Sequence, residues 1–272
     1  MPFPPADPGG TCLVTGASSG IGAEIARALA RRGYGLVLVA RRLDRLQALA
    51  DELVAGRDIR VEVVQADLAE EEERAEVVRI VERAGLRVDV LVNNAAASTF
   101  GPVHESNRAR ELALVRTDVE AVVDLCTMVV PGMVARRRGA VLTTASTAAF
   151  QPLPHQAAYG AAKAFVLSYS HALRAEVRRF GIPVTALCPG PVATGFAAAA
   201  GTTERDLAGF LPRAMWLATH EVARAGIEGL ERDRPVVVPG LLNRLASLAA
   251  SATPAPVMAA IVELARQPRR KR

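Results

Sequence analysis

Thr15-Gly16-Ala17-Ser18-Ser19-Gly20-Ile21-Gly22 follows a short apolar run, Thr11 to Thr15, and opens a segment of helical period from about Ile21 to Arg32. Glycines at this spacing let the backbone turn tightly and approach a pyrophosphate, whose charge is met by unpaired N–H groups and the positive end of the helix dipole. A glycine triplet alone is weak evidence. A strand before it and a helix after it make it a dinucleotide-binding hypothesis.

Outward from that turn the same beat repeats. Predicted strands at Leu36–Ala40, Ile59–Val64 and Val88–Val92 alternate with helices at Leu43–Ala55 and Glu70–Ala84. A long helix near Arg108–Val130, a strand Ala140–Thr144, a helix Ala157–Phe180 and a strand Val184–Leu187 continue it, and Pro235–Val238 reads as an edge strand. Such βαβ repetition calls for an α/β fold, a single-domain, Rossmann-type, doubly wound parallel sheet with helices on both faces. No linker, repeat or low-complexity block divides the chain, so residues 11–265 read as one domain, between a loose arm at 1–10 and a basic tail at 266–272. Ala193–Arg213 is less regular, and reads either as a lid hinged at Gly195 and Gly201 or as an ordinary surface loop.

At the end of the second strand, where a site for the unphosphorylated dinucleotide would present a carboxylate to the ribose, the chain has Ala40-Arg41-Arg42. No carboxylate repels a ribose phosphate there, and a guanidinium offers a bidentate clamp for one. This favours NADP(H) as cofactor over NAD.

Tyr159 and Lys163 stand four residues apart on one face of a predicted helix, about 5–6 Å apart at Cβ. Ser146 lies thirteen residues before the tyrosine, after a predicted strand. An ammonium beside a tyrosine favours the phenolate and fits it for proton exchange with a carbonyl or alcohol.

Composition narrows the classes. The chain has 272 residues, half of them hydrophobic, enough for one sizeable core. Its net charge of +5 resides in Arg266, Arg269, Arg270, Lys271 and Arg272; elsewhere 28 basic residues face 28 acidic ones. With 4% aromatics this gives no nucleic-acid groove. Cys12, Cys126 and Cys188 lack metal-ligand spacing and sit in apolar runs, which with no secretory leader implies a reduced, cytoplasmic setting. No metal site is expected, and no run is long enough for a transmembrane helix. Ala255–Ala265 followed by the basic tail has two readings: a helix resting on an anionic membrane, or, as is ordinary for a terminus, a docked helix with a solvated tail.

Taken together, these residues resemble the short-chain dehydrogenase/reductase (SDR) family from about Thr11 to Thr194. The glycine turn (Gly16, Ser18, Ser19, Gly20, Ile21, Gly22) matches its Thr-Gly-x-x-x-Gly-x-Gly, and Asp67-Leu68 resembles the segment touching adenine. Asn93-Asn94-Ala95 resembles its Asn-Asn-Ala-Gly. Pro189-Gly190, with Val192 and Thr194, is similar to the loop that holds the nicotinamide carboxamide. The resemblance implies hydride transfer between nicotinamide and a carbinol carbon, with Tyr159 exchanging the proton, Ser146 binding the oxygen, and Lys163 acidifying the phenol and holding the ribose. Two residues depart from the pattern. Asp118 stands where the family has a catalytic Asn, either altering the proton relay or pairing with Lys163. Ala96 replaces a Gly, tolerable if its φ is negative.

Substrate determinants are sparser. His155, beside Phe150, Gln151 and Leu153, is expected to wall the substrate pocket with Ser146 and Tyr159; His104, His171 and His220 read as surface residues. Phe196, Phe210, Leu211, Met215 and Trp216 suggest a lipophilic or ring-bearing substrate. The expected activity is NADP-dependent ketone/alcohol oxidoreduction; the alternatives are a 3-oxoacyl-carrier reductase and a non-catalytic NADP sensor. Homodimers or homotetramers are expected by resemblance, through the long helices flanking Ser146.

Overall fold

The computed structural model describes residues 3–200, 202–203 and 211–266. Seven parallel strands form one sheet in the order β3-β2-β1-β4-β5-β6-β7: β1 Gly10–Thr15, β2 Gly35–Ala40, β3 Val61–Gln65, β4 Arg87–Asn93, β5 Ala140–Thr144, β6 Val184–Leu187 and β7 Val236–Val237. The order reverses between β1 and β4, so the crevice beyond the carboxyl ends of these two strands is the place where such sheets take ligands.

Strand alternation splits the core into two layers. Cys12, Val14, Leu36 and Leu38 pack with α1 (Gly20–Ala30), α2 (Leu43–Val54) and a later helix, Thr219–Glu231. Leu13, Val37 and Val39 face the other way, onto α3 (Glu71–Arg83) and the long helices before and after β5. Every residue of β1 is buried, which is why the strand reads as a continuous apolar run.

The predicted helix at Arg108–Val130 is two helices, α4 (Arg108–Val115) and α5 (Ala121–Ala135), joined through a π-helical turn at Arg116–Glu120. The wider turn carries the buried Asp118. After β5, a 3₁₀ turn (Thr147–Phe150) leads to α6 (Ala157–Val177); a short α7 (Phe196–Ala199) precedes α8 (Thr219–Glu231), α9 (Leu241–Ala252) and α10 (Ala255–Arg266). Neither α8 nor α9 was expected from sequence.

Residues 3–9 are not a loose arm. Phe3 meets Tyr34 edge-on, the Tyr34 hydroxyl donates to the Pro4 carbonyl, and Arg138 donates to Pro5 O at 2.7 Å. Asp7 pairs with Arg87 and accepts the Gly9 N–H at 2.9 Å. Beneath lies Asp89, 2% exposed, bound by Arg138 Nε at 2.9 Å and Arg87 Nε at 3.2 Å, with Arg136 Nε at 3.6 Å. Three guanidinium groups thus compensate one buried carboxylate and fix the chain's start to the sheet. The tail at 267–272 and, within the suggested lid, residues 201 and 204–210, Gly201 and Phe210 among them, lie outside the described residues.

Candidate active site

A cleft of about 710 Å³ opens over the carboxyl ends of the strands. At one end the glycine turn enters α1. Gly16 has φ +66°, and a Cβ there would lie 2.8 Å from Ala95 Cα; one on Gly22 would lie 2.3 Å from the Gly16 carbonyl. Side chains at either position would force the turn and the sheet apart. Ser19, at the N-cap, makes no side-chain cap, so the first N–H groups of α1 are left for a ligand.

Arg42 donates to Ser18 Oγ at 2.8 Å and Ser19 Oγ at 2.7 Å, which brings its guanidinium to this helix start. Arg41 and Arg45 line the same wall. Burial first, then the neighbouring charges of Arg45 and Arg41 against the pull of Asp44, lower the Arg42 pKa, so an anion bound here would favour its charged form. Asp67 approaches Arg41 at 3.6 Å and caps Ala69 N at 3.1 Å, while Arg74 braces this loop by donating to Leu68 O at 2.9 Å. A helix terminus with free donors, a turn too tight for a Cβ and a cluster of guanidiniums fit a phosphorylated dinucleotide.

At the other end, β5 and α6 bring the titratable groups together. Ser146 follows β5; its hydroxyl accepts from Ala148 N at 3.1 Å, and it lines the cleft together with Tyr159. One helical turn beyond Tyr159, Lys163 Nζ lies 5.6 Å from the phenol ring centroid and donates to Thr144 O at 3.2 Å. Asp118 Oδ2 sits 3.0 Å from the same Nζ, and Asp118 Oδ1 accepts the Ala97 N–H at 2.7 Å. Asp118 and Lys163 are both almost wholly buried.

This ion pair changes the electrostatics expected from sequence. Burial pushes the Tyr159 phenol above its ordinary value; Lys163 and Ser146 pull it down, but Asp118 opposes them, and the net direction is up. The expected acidification by the ammonium is therefore outweighed by desolvation. Burial disfavours the Lys163 ammonium, but Asp118 and then Tyr159 more than compensate, so its pKa is raised and the ammonium persists. Asp118 is itself raised by burial, with Lys163 and the Ala97 N–H holding it back.

Most of the sequence-predicted residues meet in this one cleft: Gly16, Ser18, Ser19, Gly20, Ile21, Arg41, Arg42, Asp67, Leu68, Asn94, Ser146, Tyr159, Lys163, Pro189, Gly190, Val192 and Thr194 line it. Gly22 and Asp118 lie just behind the lining. Ala96 lines the cleft and avoids positive φ. Gln151, Leu153, Leu211 and Trp216 also border it, whereas Phe150 and Met215 do not. His155 is displaced from the expected pocket wall: its backbone has φ +63°, and its ring stacks near Phe100 and pairs with Glu263 at 3.3 Å.

Sequence reading missed three contributors. Thr144 supplies the carbonyl for Lys163 and hydrogen-bonds Asn94 Oδ1 at 3.2 Å. Arg45 lines the cofactor end. Asn243 of α9 packs so tightly under Gly190 that a Cβ there would lie 2.4 Å from its Oδ1, and it donates to Met215 O at 2.9 Å. An asparagine inside an apolar helix was the only signal.

Comparison with known proteins agrees with this architecture. The profile of the family described as short chain dehydrogenase matches residues 10–205. A short-chain dehydrogenase from Sphingobium yanoikuyae, solved in complex with NADPH, is 33% identical, with TM-score 0.78 over 96% of this chain and 97% of that one. The bulky-bulky ketone specific alcohol dehydrogenase from Comamonas testosteroni is 30% identical, with TM-score 0.74 over 96% of each chain. The 17-beta-hydroxysteroid dehydrogenase type 3 of Mus musculus is 35% identical over 184 residues, 67% of this chain but only 60% of the mouse protein. The chain belongs to the short-chain dehydrogenase family.

Proposed function

We propose that this protein is an NADP(H)-dependent oxidoreductase that interconverts a bulky, lipophilic ketone and its secondary alcohol, with Ser146, Tyr159 and Lys163 as catalytic residues. The observation that carries this reading is the convergence of Ser146, Tyr159 and Lys163 on one wall of the cleft, with the buried Lys163 ammonium 5.6 Å from the Tyr159 ring centroid. When bound, NADPH supplies the hydride.

The chain's residues do the rest. The glycine turn and the start of α1 hold the pyrophosphate, and Arg41 and Arg42 meet the ribose phosphate. Asp67 and Leu68 border the adenine, and Pro189, Gly190, Val192 and Thr194 hold the carboxamide end. Ser146 donates to the substrate oxygen and fixes it in line with Tyr159. Tyr159 gives its proton to that oxygen during reduction and takes it back during oxidation. Lys163, kept charged by Asp118 and oriented by Thr144 O, stabilises the phenolate left behind and reaches the nicotinamide ribose.

The partly apolar wall formed by Leu153, Leu211 and Trp216 supports the bulky substrate class. So do the printed names of the mouse and Comamonas relatives, one a hydroxysteroid dehydrogenase and one specific for bulky-bulky ketones. Exposed Leu112 and Val115 of α4 and Phe165 of α6 support a homodimer or homotetramer built on these helices. A panel of ketones and alcohols, scored by absorbance of the reduced nicotinamide, tests the function. Turnover of bulky ketones with NADPH is expected. No turnover of any carbonyl or alcohol, with NADPH binding that shifts oligomeric state, would favour a sensor instead.

A further inference from the structure

The helix α9 is inside out. Its inward face is polar or small, with Asn243, Ser247 and Ala250 buried, while Leu241, Leu242, Leu245 and Leu248 are 47–72% exposed. Asn243 locks this orientation by donating to Met215 O and Pro239 O, and by its contact with Gly190. A helix free to rotate would bury the leucines, so the outward stripe is held against the hydrophobic effect.

The next helix has an apolar inward face but also carries an outward apolar stripe. α10 docks through Met258 and Val262 against Ala250, Phe150 and Leu153, and presents Val257, Ile261 and Leu264 outward at spacings of four and three. These two helices carry seven of the fourteen exposed large apolar side chains among the described residues. That is a patch, not the scatter normal for a surface.

Charge indicates what covers it. Between Leu241 and Ala265 the sequence has two charged residues, Arg244, which is exposed, and Glu263, which is paired with His155. The sequence then runs into Arg266, Arg269, Arg270, Lys271 and Arg272 with no acid among them. Two copies meeting on this face would bring like charges together. An anionic lipid surface would take both the leucines and the bases.

We propose that the outward faces of α9 and α10 form a docking surface for an anionic lipid bilayer. The helices lie on the bilayer and do not cross it; no helix among the described residues is long and apolar enough to span one. Leu153 both borders the cleft and packs under α10, so docking brings the substrate side of the cleft next to the lipid. The surface is separate from the catalytic groups, and its test does not depend on turnover.

The test is flotation of the full chain with vesicles of phosphatidylcholine alone or with about a third phosphatidylglycerol, with size-exclusion light scattering in parallel. The parent should partition at least tenfold better onto the anionic vesicles. Leu245→Glu with Leu248→Glu should abolish binding at an unchanged melting temperature, because both side chains are exposed. Neutralising Arg269, Arg270 and Arg272 to Gln should weaken binding roughly fivefold per charge, in line with about 1 kcal/mol per basic residue near such a surface. Three results would overturn the proposal: equal or no binding to both vesicle types, binding that ignores the leucine substitutions, or leucine substitutions that split an oligomer without altering vesicle binding. The last would mean that a second copy covers the face.

Discussion

Asp118→Asn tests whether the buried ion pair sets the proton chemistry. At 3.0 Å and an effective dielectric constant of about 20, the Coulomb attraction to Lys163 is about 5.5 kcal/mol, much of it offset by desolvation. Losing one partner of such a pair costs about 3–5 kcal/mol. Asn can still accept the Ala97 N–H, so Asp118→Asn should fall at the low end and Asp118→Ala at the high end, read by thermal or denaturant unfolding. Activity should move separately. Asp118 holds the Tyr159 phenol up and the Lys163 ammonium on. Without its charge the phenol ionises more easily, so the acid limb of alcohol oxidation shifts to lower pH. The ammonium, with its main support gone, is lost at lower pH, so the alkaline limb shifts the same way.

Stability linkage has a matching sign. Lys163, raised above its ordinary value of 10.5, favours the folded state below that pH, and this contribution disappears as pH rises through the folded pKa; in Asp118→Asn, with its largest support gone, that contribution and the pH window over which it is lost both shrink. The raised Asp118 works oppositely to a salt-bridged surface acid. Its contribution is greatest at low pH and declines as pH rises through the folded pKa, a decline the Asn variant lacks. The assay is a pH–rate profile of alcohol oxidation, with melting temperature measured across pH. A profile superimposable on the parent's, at parent stability, would refute the reasoning.

Three further outcomes are expected. Arg41→Ala should weaken NADPH binding about 10–100-fold, the equivalent of a charge-assisted contact of about 1.5–3 kcal/mol, and leave NADH nearly unchanged; equal losses by titration would remove the ribose-phosphate assignment. Gly22→Ala should abolish dinucleotide binding and lower stability by about 1–3 kcal/mol, because its Cβ would press on the Gly16 carbonyl; retained NADPH binding by calorimetry would contradict this. Asp89→Asn should cost about 2–3 kcal/mol, below the range for a fully buried pair because its arginines are 26–37% exposed, with the denaturation midpoint as the readout.

What was legible in the sequence was local. The Thr15–Gly22 turn, the apolar strands and the Tyr159–Lys163 spacing each carry their meaning within a few residues, and the sheet assembles them by rule. Contacts between distant segments were not legible. Nothing in Asp118-Val119-Glu120 announces a π-helical turn, from which Asp118 reaches both Ala97 N and Lys163. The pocket role expected of His155 gave way to Glu263, 108 residues on. The start of the chain was read as loose because proline and glycine dominate it, yet Asp89 and Tyr34 hold it. For α9, the leucines recur at helical spacing, but which way they face is decided by Asn243, whose partners Met215 O and Pro239 O lie outside the helix.

The central claim is that Tyr159 moves the proton while other residues hold the cofactor. Tyr159→Phe, assayed in parallel for ketone reduction and for NADPH binding by fluorescence titration, tests it most directly. Turnover should fall by about 10²–10⁴, the usual worth of a positioned general acid, with NADPH affinity within a few-fold of the parent. A variant that still reduces ketones at a comparable rate would contradict the account.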